Sequence, residues 1–584
     1  MDKKVLGDIL SFIYGTEQGG AILPRLLALL DAYPRGLPPF EEARKTGGSP
    51  HTAHASRNDA APACRGLVDH RDALLISYAD MLAPPAGGDG ESGLSRLGKF
   101  LAARNGGAFS YLHLLPFHPY SSDDGFSVID YSRVDDRFGS WEDLERLKTI
   151  STGSGRLVLA FDLVVNHGSV QSEWFKGFLA GKSEYSSWYL TRPKTYDSGA
   201  VFRPRTHPLL SEFKRAGSSP VYVWTTFSAD QADYDFSHAD VLLEFVKILL
   251  QYARRGAGIV RLDAIAYLWK EDGTACLHHP KTHAVVRLFR AVIDYLGLPL
   301  LILTETNVPH AENISYFGTA SGPAEAHMVY NFALPPLVLH ACVSGDAGPL
   351  REWAKTLPVR AEGRYFLNFL ASHDGVGLTP AAGLVDEKAL AATIETARRR
   401  GALVSYKSTP RGEVPYELNC SFASVIAPRE LGSAGLRAKA FLAAHAAMLF
   451  LSGLPAVYFH SWIGSEAWTE GPALLGYKRA INRERPPVDR VEAELAAASF
   501  RRRVYEGFQK MLAIRKAEAL FDPEAEQRVL EAAGGVFALE RRKNRRRMVC
   551  LVNLGRRAAR WTDPESGGRF ALGPFEARIV KFAP

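Results

Sequence analysis

Along the middle of the chain, short runs of aliphatic and β-branched residues alternate with stretches whose apolar residues recur at helical spacing. This alternation predicts parallel strands joined by crossover helices. The predicted strands are 74–78, 111–115, 157–162, 258–263, 300–305, 328–331, 365–370 and 456–460. Eight strands separated by helical segments predict an α/β fold, a closed (β/α)8 TIM barrel rather than an open sheet. One helix shows the logic. From 241 to 255, Leu242, Phe245, Val246, Leu249 and Leu250 form a single apolar stripe. Asp240 is placed to cap its start and Gly256 to end it.

Two connections are too long for simple loops, and connections of that length inside a compact domain are usually functional. They divide the chain as follows. Residues 1–72 are an N-terminal segment, one helical run followed by a loop-like stretch at 45–64. Residues 73–167 begin the barrel, and 168–237, rich in aromatics, Pro and Arg, form an inserted domain after the third strand. Residues 238–377 continue the barrel, and 378–434 are a smaller insertion after the seventh strand, a helical stretch and a turn-rich loop. Residues 435–523 complete the barrel, and short alternating strands over 524–584 predict a small all-β C-terminal domain. On a barrel, the loops that follow strands build the active-site face.

Composition narrows the class. At 584 residues the chain exceeds one compact core, and 46% hydrophobic with 23% charged residues is ordinary for a globular protein. The net charge of +7 is modest. The run from Arg541 to Arg547 lies between two apolar stretches, so it reads as a solvated hairpin turn rather than a nucleic-acid patch. Cys64, Cys276, Cys342, Cys420 and Cys550 are scattered and odd in number, which fits a reducing cytoplasm. The first residues are interrupted by Asp8 and lack a cleavage site, and no apolar stretch reaches the ~20 residues a bilayer needs. The expectation is a soluble cytoplasmic protein without nucleic-acid or membrane partners. His278, His279 and His283 straddle Pro280 with no acidic partner evident, so no metal site is predicted.

Three acidic residues fall at the ends of predicted strands. Asp263 ends a run in which Arg261, two residues earlier, faces the same side; Glu305 ends the next strand; Asp374 follows His373 after the seventh. A single Asp at a strand end more often caps the next helix, but three on different strands of one barrel read as a catalytic set. Here the sequence resembles the α-amylase superfamily. Asp162 to His167 (DLVVNH), Arg261 to Asp263 (RLD), Glu305 within TET, and His373-Asp374 match that family's four regions in order, over roughly 75–584. The resemblance implies Asp263 as nucleophile, Glu305 as general acid/base, Asp374 as the transition-state-stabilising carboxylate, and His167, Arg261 and His373 at the substrate. Retaining glucosyl transfer needs an ionised carboxylate about 5–5.5 Å from a protonated one. Arg261 is expected to keep Asp263 charged, and burial to raise Glu305.

Within the superfamily, Pro116 to Phe126 (PFHPYSSDDGF) resembles the signature loop of the sucrose phosphorylase subfamily. By that resemblance Asp123 binds a glucose hydroxyl and Phe126 forms a platform for the ring, while Phe227, Gln231, Tyr267 and Arg483 complete the glucose subsite. Arg205, in Arg203-Pro204-Arg205, is the residue expected to meet phosphate, whose oxygens suit a guanidinium fork. Two places depart from sucrose phosphorylases: Asn307 stands where they carry a fructose-contacting His, and the acceptor loop reads Ser405-Tyr406-Lys407 and then Pro415-Tyr416-Glu417. Both look more like glucosylglycerate phosphorylases, where Lys407 or Arg411 would supply a cation for the glycerate carboxylate and Tyr416 would border it.

The function implied is transfer of glucose from a small α-glucoside, glucosylglycerate first, to phosphate, giving α-glucose 1-phosphate with no cofactor and phosphate as co-substrate. Sucrose or glucosylglycerol phosphorolysis, an α-glucosidase or transglucosidase with the same carboxylates, and a non-catalytic amylase-like scaffold are the competing readings; a homodimer is compatible with all of them.

Overall fold

The computed structural model describes residues 2–33, 68–88, 90–153, 155–215, 219–319, 323–358, 361–409 and 412–582. The loop-like stretch 45–64, Cys64 and Arg411 lie outside these.

The apolar runs become eight parallel strands: β1 (Leu74–Ser77), β2 (Tyr111–Leu114), β3 (Val158–Val164), β4 (Ala257–Asp263), β5 (Leu301–Thr304), β6 (Met328–Tyr330), β7 (Tyr365–Asn368) and β8 (Leu454–Tyr458). Each is buried along nearly its whole length, as expected of parallel strands covered on both faces. They close in sequence order, with β1 paired to both β2 and β8. Every βα loop therefore opens on one face, and the carboxylates at the strand ends converge there.

The helix predicted over 241–255 spans Ala239–Arg254, and the chain leaves it through Gly256 at φ 84°. Asp240 does not cap it. His238 holds the capping position without a side-chain bond, and Asp240 sits in the first turn, ion-paired with Arg25. That partner comes from the N-terminal segment, which contains two helices where one run was expected, Lys3–Tyr14 and Thr16–Asp31, broken at Gly15 with φ 86°. Leu6, Leu10 and Ile13 of the first are buried; that helix packs on Pro280–Leu296 and the second on Ala239–Arg254. The segment covers the outside of the barrel, where sequence periodicity alone has no partner to point to.

After β3, the long connection forms a helix, Glu173–Leu179, and a hairpin, Leu210–Phe213 with Val221–Trp224. The stretch read as a turn-rich loop after β7 is instead a hairpin, Leu403–Thr409 with Gly412–Asn419, extended to three strands by Val376–Gly377. Its register slips between Ser405 and Tyr406, which face Glu417 and Pro415, leaving Tyr416 as the extra residue of a bulge.

The C-terminal domain is a four-stranded antiparallel sheet with a separate two-stranded one. The arginine run does form a hairpin turn, with Asn544 at φ 56°. It is not fully solvated: Arg541 and Arg547 are buried, the first donating to the Leu520 and Asp522 carbonyls and the second paired with Glu540 and Asp563. A guanidinium can be buried when its donors are used in this way. Among the described residues no helix is long and apolar enough to cross a membrane.

Candidate active site

The register of β3 against β4 sets the floor of the site. Arg261 lies directly across from Asp162 and, two residues before Asp263, on the same face of β4. Its Nη1 donates to both carboxylates, 2.7 Å from Asp263 Oδ1. Asp162 also accepts from His113 at 2.8 Å. Although burial works to raise it, Asp162 is held below the usual carboxylate range by Arg261 and His113. It thus takes a large part of the arginine's charge.

Asp263 feels the consequence. Burial, helped by Glu305, Asp162 and Asp374, pushes its carboxyl up to about 8 against the pull of Arg261. Burial likewise raises Glu305. The arginine shared with Asp162 does not outweigh desolvation, so the expectation that Arg261 keeps Asp263 charged depends on how the Asp263–Glu305 pair divides its protons. Two such neighbours titrate as a pair. When one proton is shared, the direct Arg261 bond places the charge on Asp263 and leaves the proton on Glu305.

Glu305 follows β5, and its Oε2 accepts from the Ala264 N–H at 3.1 Å. Ala264 holds φ 50°, a left-handed conformation that costs an alanine of order 1 kcal/mol, and it immediately follows Asp263. Asp374 follows β7. Despite its burial, Arg479 and then Arg483 keep its pKa low. The three carboxylates thus divide: two raised and one firmly ionised.

They share one open pocket, with Asp123, Phe126, His167, Arg205, Phe227, Gln231, Tyr267, Asn307, His373 and Tyr416 in its wall. Phe126 stacks on His373, centroids 4.8 Å apart and planes at 3°. Its carbonyl is 3.1 Å from both His167 Nε2 and Gln231 Nε2. Burial draws His167 down to about 4, so its imidazole is neutral at neutral pH. Phe227 packs edge-on to Tyr267 at 5.2 Å. Asp123 and Asp124 both have positive φ, 50° and 48°, so the loop that carries Phe126 is strained where it meets the pocket. Gly377 leaves room for Asn307: a Cβ there would lie 2.4 Å from Asn307 Oδ1.

Arg261 and Arg483, expected at the sugar, lie behind this wall. Arg483 is buried, donating to Asp124 at 2.7 Å and to the His373 carbonyl at 2.9 Å. Lys407 is half-buried outside the wall, its ammonium 5.4 Å from the Phe202 ring and 5.8 Å from Tyr416. The three histidines excluded from metal binding do have acidic partners: Glu312 at 3.2 Å from His278, Glu271 at 3.1 Å from His279 and Glu325 at 2.7 Å from His283. Each pairs with a different carboxylate, and among the described residues no three ligand-type side chains converge on an ion position.

Sequence reading missed Arg479, Glu417 and Asp124. Arg479 lines the pocket, and Glu417 and Asp124 are the counter-charges of Arg479 and Arg483. The spacing of Arg479 and Arg483, four apart around a short 3-10 helix, Lys478–Asn482, was the available signal.

The alpha-amylase catalytic-domain family model matches residues 109–374. A glucosylglycerate phosphorylase of Spirochaeta thermophila is 47% identical over 94% of this chain and 88% of its own length. Another, from Allomeiothermus silvanus, is 39% identical over 93% of this chain and 91% of its own. The crystal structure of sucrose 6F-phosphate phosphorylase from Thermoanaerobacter thermosaccharolyticum superposes with a TM-score of 0.72 at 24% identity, covering 86% of this chain and 98% of that one, which speaks to fold. With this pocket, this strand order and relatives matched along nearly the whole chain, the protein belongs to the α-amylase superfamily, in its branch of glucosylglycerate and sucrose phosphorylases.

Proposed function

We propose that the protein is a retaining glucosylglycerate phosphorylase. Asp263 attacks C1 of the glucosyl unit as the bond to the glycerate oxygen breaks, and that oxygen takes the proton of Glu305. A phosphate oxygen then attacks C1, the Asp263 ester breaks, and the proton lost by phosphate returns to Glu305. Two inversions give α-glucose 1-phosphate. Asp374 stabilises the positive charge that develops on the ring. Asp123, Phe126, His167, Phe227, Gln231, Tyr267 and His373 hold the glucose, with Arg261 and Arg483 acting through Asp263, Asp123 and Asp374. No metal or organic cofactor enters this scheme.

The observation that carries the anionic acceptor is a pair of cations beside Tyr416. Arg205 stands over Phe227 and Tyr416, 5.7 and 5.8 Å from their centroids, and among the described residues its guanidinium makes one hydrogen bond, a long one to the Pro204 carbonyl. Lys407 meets Thr379 Oγ1 at 3.3 Å. Neither has a carboxylate within ion-pair distance among the described residues, and burial lowers the Lys407 pKa. Such cations next to a sugar pocket favour anionic ligands, Arg205 for phosphate and Lys407 for the glycerate carboxylate, with Asn307 and Tyr416 beside them.

Enzyme with phosphate and glucosylglycerate should release α-glucose 1-phosphate in proportion to phosphate, and sucrose should be a poor donor. Brisk release from sucrose and none from glucosylglycerate would overturn the acceptor assignment, and glucose formation indifferent to phosphate would make the enzyme a hydrolase. Lys407→Gln should raise KM for glucosylglycerate about 10- to 100-fold, the loss of one charge-assisted hydrogen bond. Arg205→Gln should raise KM for phosphate by a similar factor; initial rates at varied phosphate decide it.

A further inference from the structure

The bulge at Tyr416 lets two consecutive residues reach the active-site face, Tyr416 into the pocket wall and Glu417 onto the arginine beside it. Glu417 is 2% exposed. Its Oε1 accepts from Arg479 Nε at 3.0 Å and from the Gly375 N–H at 3.0 Å, and its Oε2 from Arg479 Nη2 at 2.8 Å. Gly375 is needed for this approach, since a Cβ there would lie 2.6 Å from Glu417 Oε1. With the Nε–Nη2 edge of the guanidinium engaged, Nη1 remains, and it is ion-paired with Asp374 Oδ1 at 2.5 Å without the geometry of a hydrogen bond. A planar guanidinium held at two points has the place of its charge beside Asp374 fixed. Glu417 is itself kept ionised, against its burial, by Arg479.

We propose that Glu417 is a positioning residue that couples the acceptor hairpin to the catalytic carboxylates. By gripping Arg479 it fixes Asp374, and by the same grip it anchors the strand that carries Tyr416 against the pocket. One pair thereby sets both the alignment of Asp374 and the closure of the acceptor side against water while glucose is bound to Asp263. This rests on the retaining phosphorylase reading but not on the identity of the acceptor.

The test uses α-glucosyl fluoride as donor in the full-length enzyme, with phosphate or water as acceptor. Glu417→Gln keeps the shape and replaces one accepting oxygen by an amide donor facing Arg479. It should lower kcat by about 10- to 100-fold, the cost of a misaligned group. KM for phosphate should move less, and the share of turnovers ending in free glucose should rise several-fold. Arg479→Lys, which keeps the charge but loses the fork, should shift the product ratio the same way and gives a second reading should Glu417→Gln fold poorly. Wild-type kcat and product ratio in a folded Glu417→Gln protein would overturn the coupling, as would a drop in kcat with the ratio unchanged in both variants. Failure of the wild-type enzyme to turn over the fluoride would instead fall on the functional reading.

Discussion

Asp263→Asn should reduce phosphorolysis by on the order of 10⁴-fold or more, because the carboxylate that forms the glucosyl ester is gone and no other residue stands in its place on β4. Glucose 1-phosphate release is the readout, and residual activity above a few per cent would remove Asp263 from the nucleophile role. The substitution should also change stability in a direction opposite to its effect on rate. Carboxylates in the unfolded chain give up their protons near 4, the ordinary value, whereas the buried Asp263–Glu305 pair of the folded protein keeps one proton, carried on Glu305, up to about 8. Between those values the folded state binds a proton the unfolded state lacks, so wild-type stability falls as pH rises through this window. The amide removes one charge of the pair and with it the repulsion that helps hold the proton, so the variant's slope is shallower. Melting temperatures of variant and wild type should therefore diverge from pH 5 to pH 9, with the variant higher at the alkaline end.

Glu305→Gln should cost about 10²- to 10⁴-fold on glucosylglycerate, whose leaving oxygen needs a proton. α-Glucosyl fluoride, whose leaving group does not, should glucosylate Asp263 at a much less impaired rate. Azide, an acceptor that needs no base, should then be glucosylated with retention and restore turnover. Equal losses on both donors, with no azide product, would assign Glu305 a role other than proton transfer. For the wild type, the raised Glu305 pKa places its loss of activity toward alkaline pH, as the acid form disappears.

The strands and the strand-end carboxylates were legible because both are local signals. An apolar run such as 258–263 is a strand wherever it is buried, and a residue two places from another shares its face. The C-terminal hairpin was legible for the same reason. What escaped depends on partners far away in sequence. Arg261 is divided between Asp263 and Asp162, and only the β3–β4 register reveals this. Asp240 looked like a cap because the arginine that claims it, Arg25, lies 215 residues earlier. Arg479 and Glu417 are 62 residues apart, and neither stands out until the hairpin is folded onto the barrel. Arg541 and Arg547 looked solvated because composition cannot show which side of a strand is covered.

The barrel closes where β1 meets β8, and the side chains around the glucose pocket run from Asp123 to Arg483. On the ribosome, the nucleophile and acid are synthesised long before the arginines that hold Asp374 and Asp123. Until residue 483 has emerged and β8 has docked, Asp374 and Asp123 lack Arg479 and Arg483, and the strands lack a closed sheet. Such long-range closure delays folding until late in the chain. A nascent or truncated chain ending before that point would hold every residue of the chemical step and be unable to carry it out.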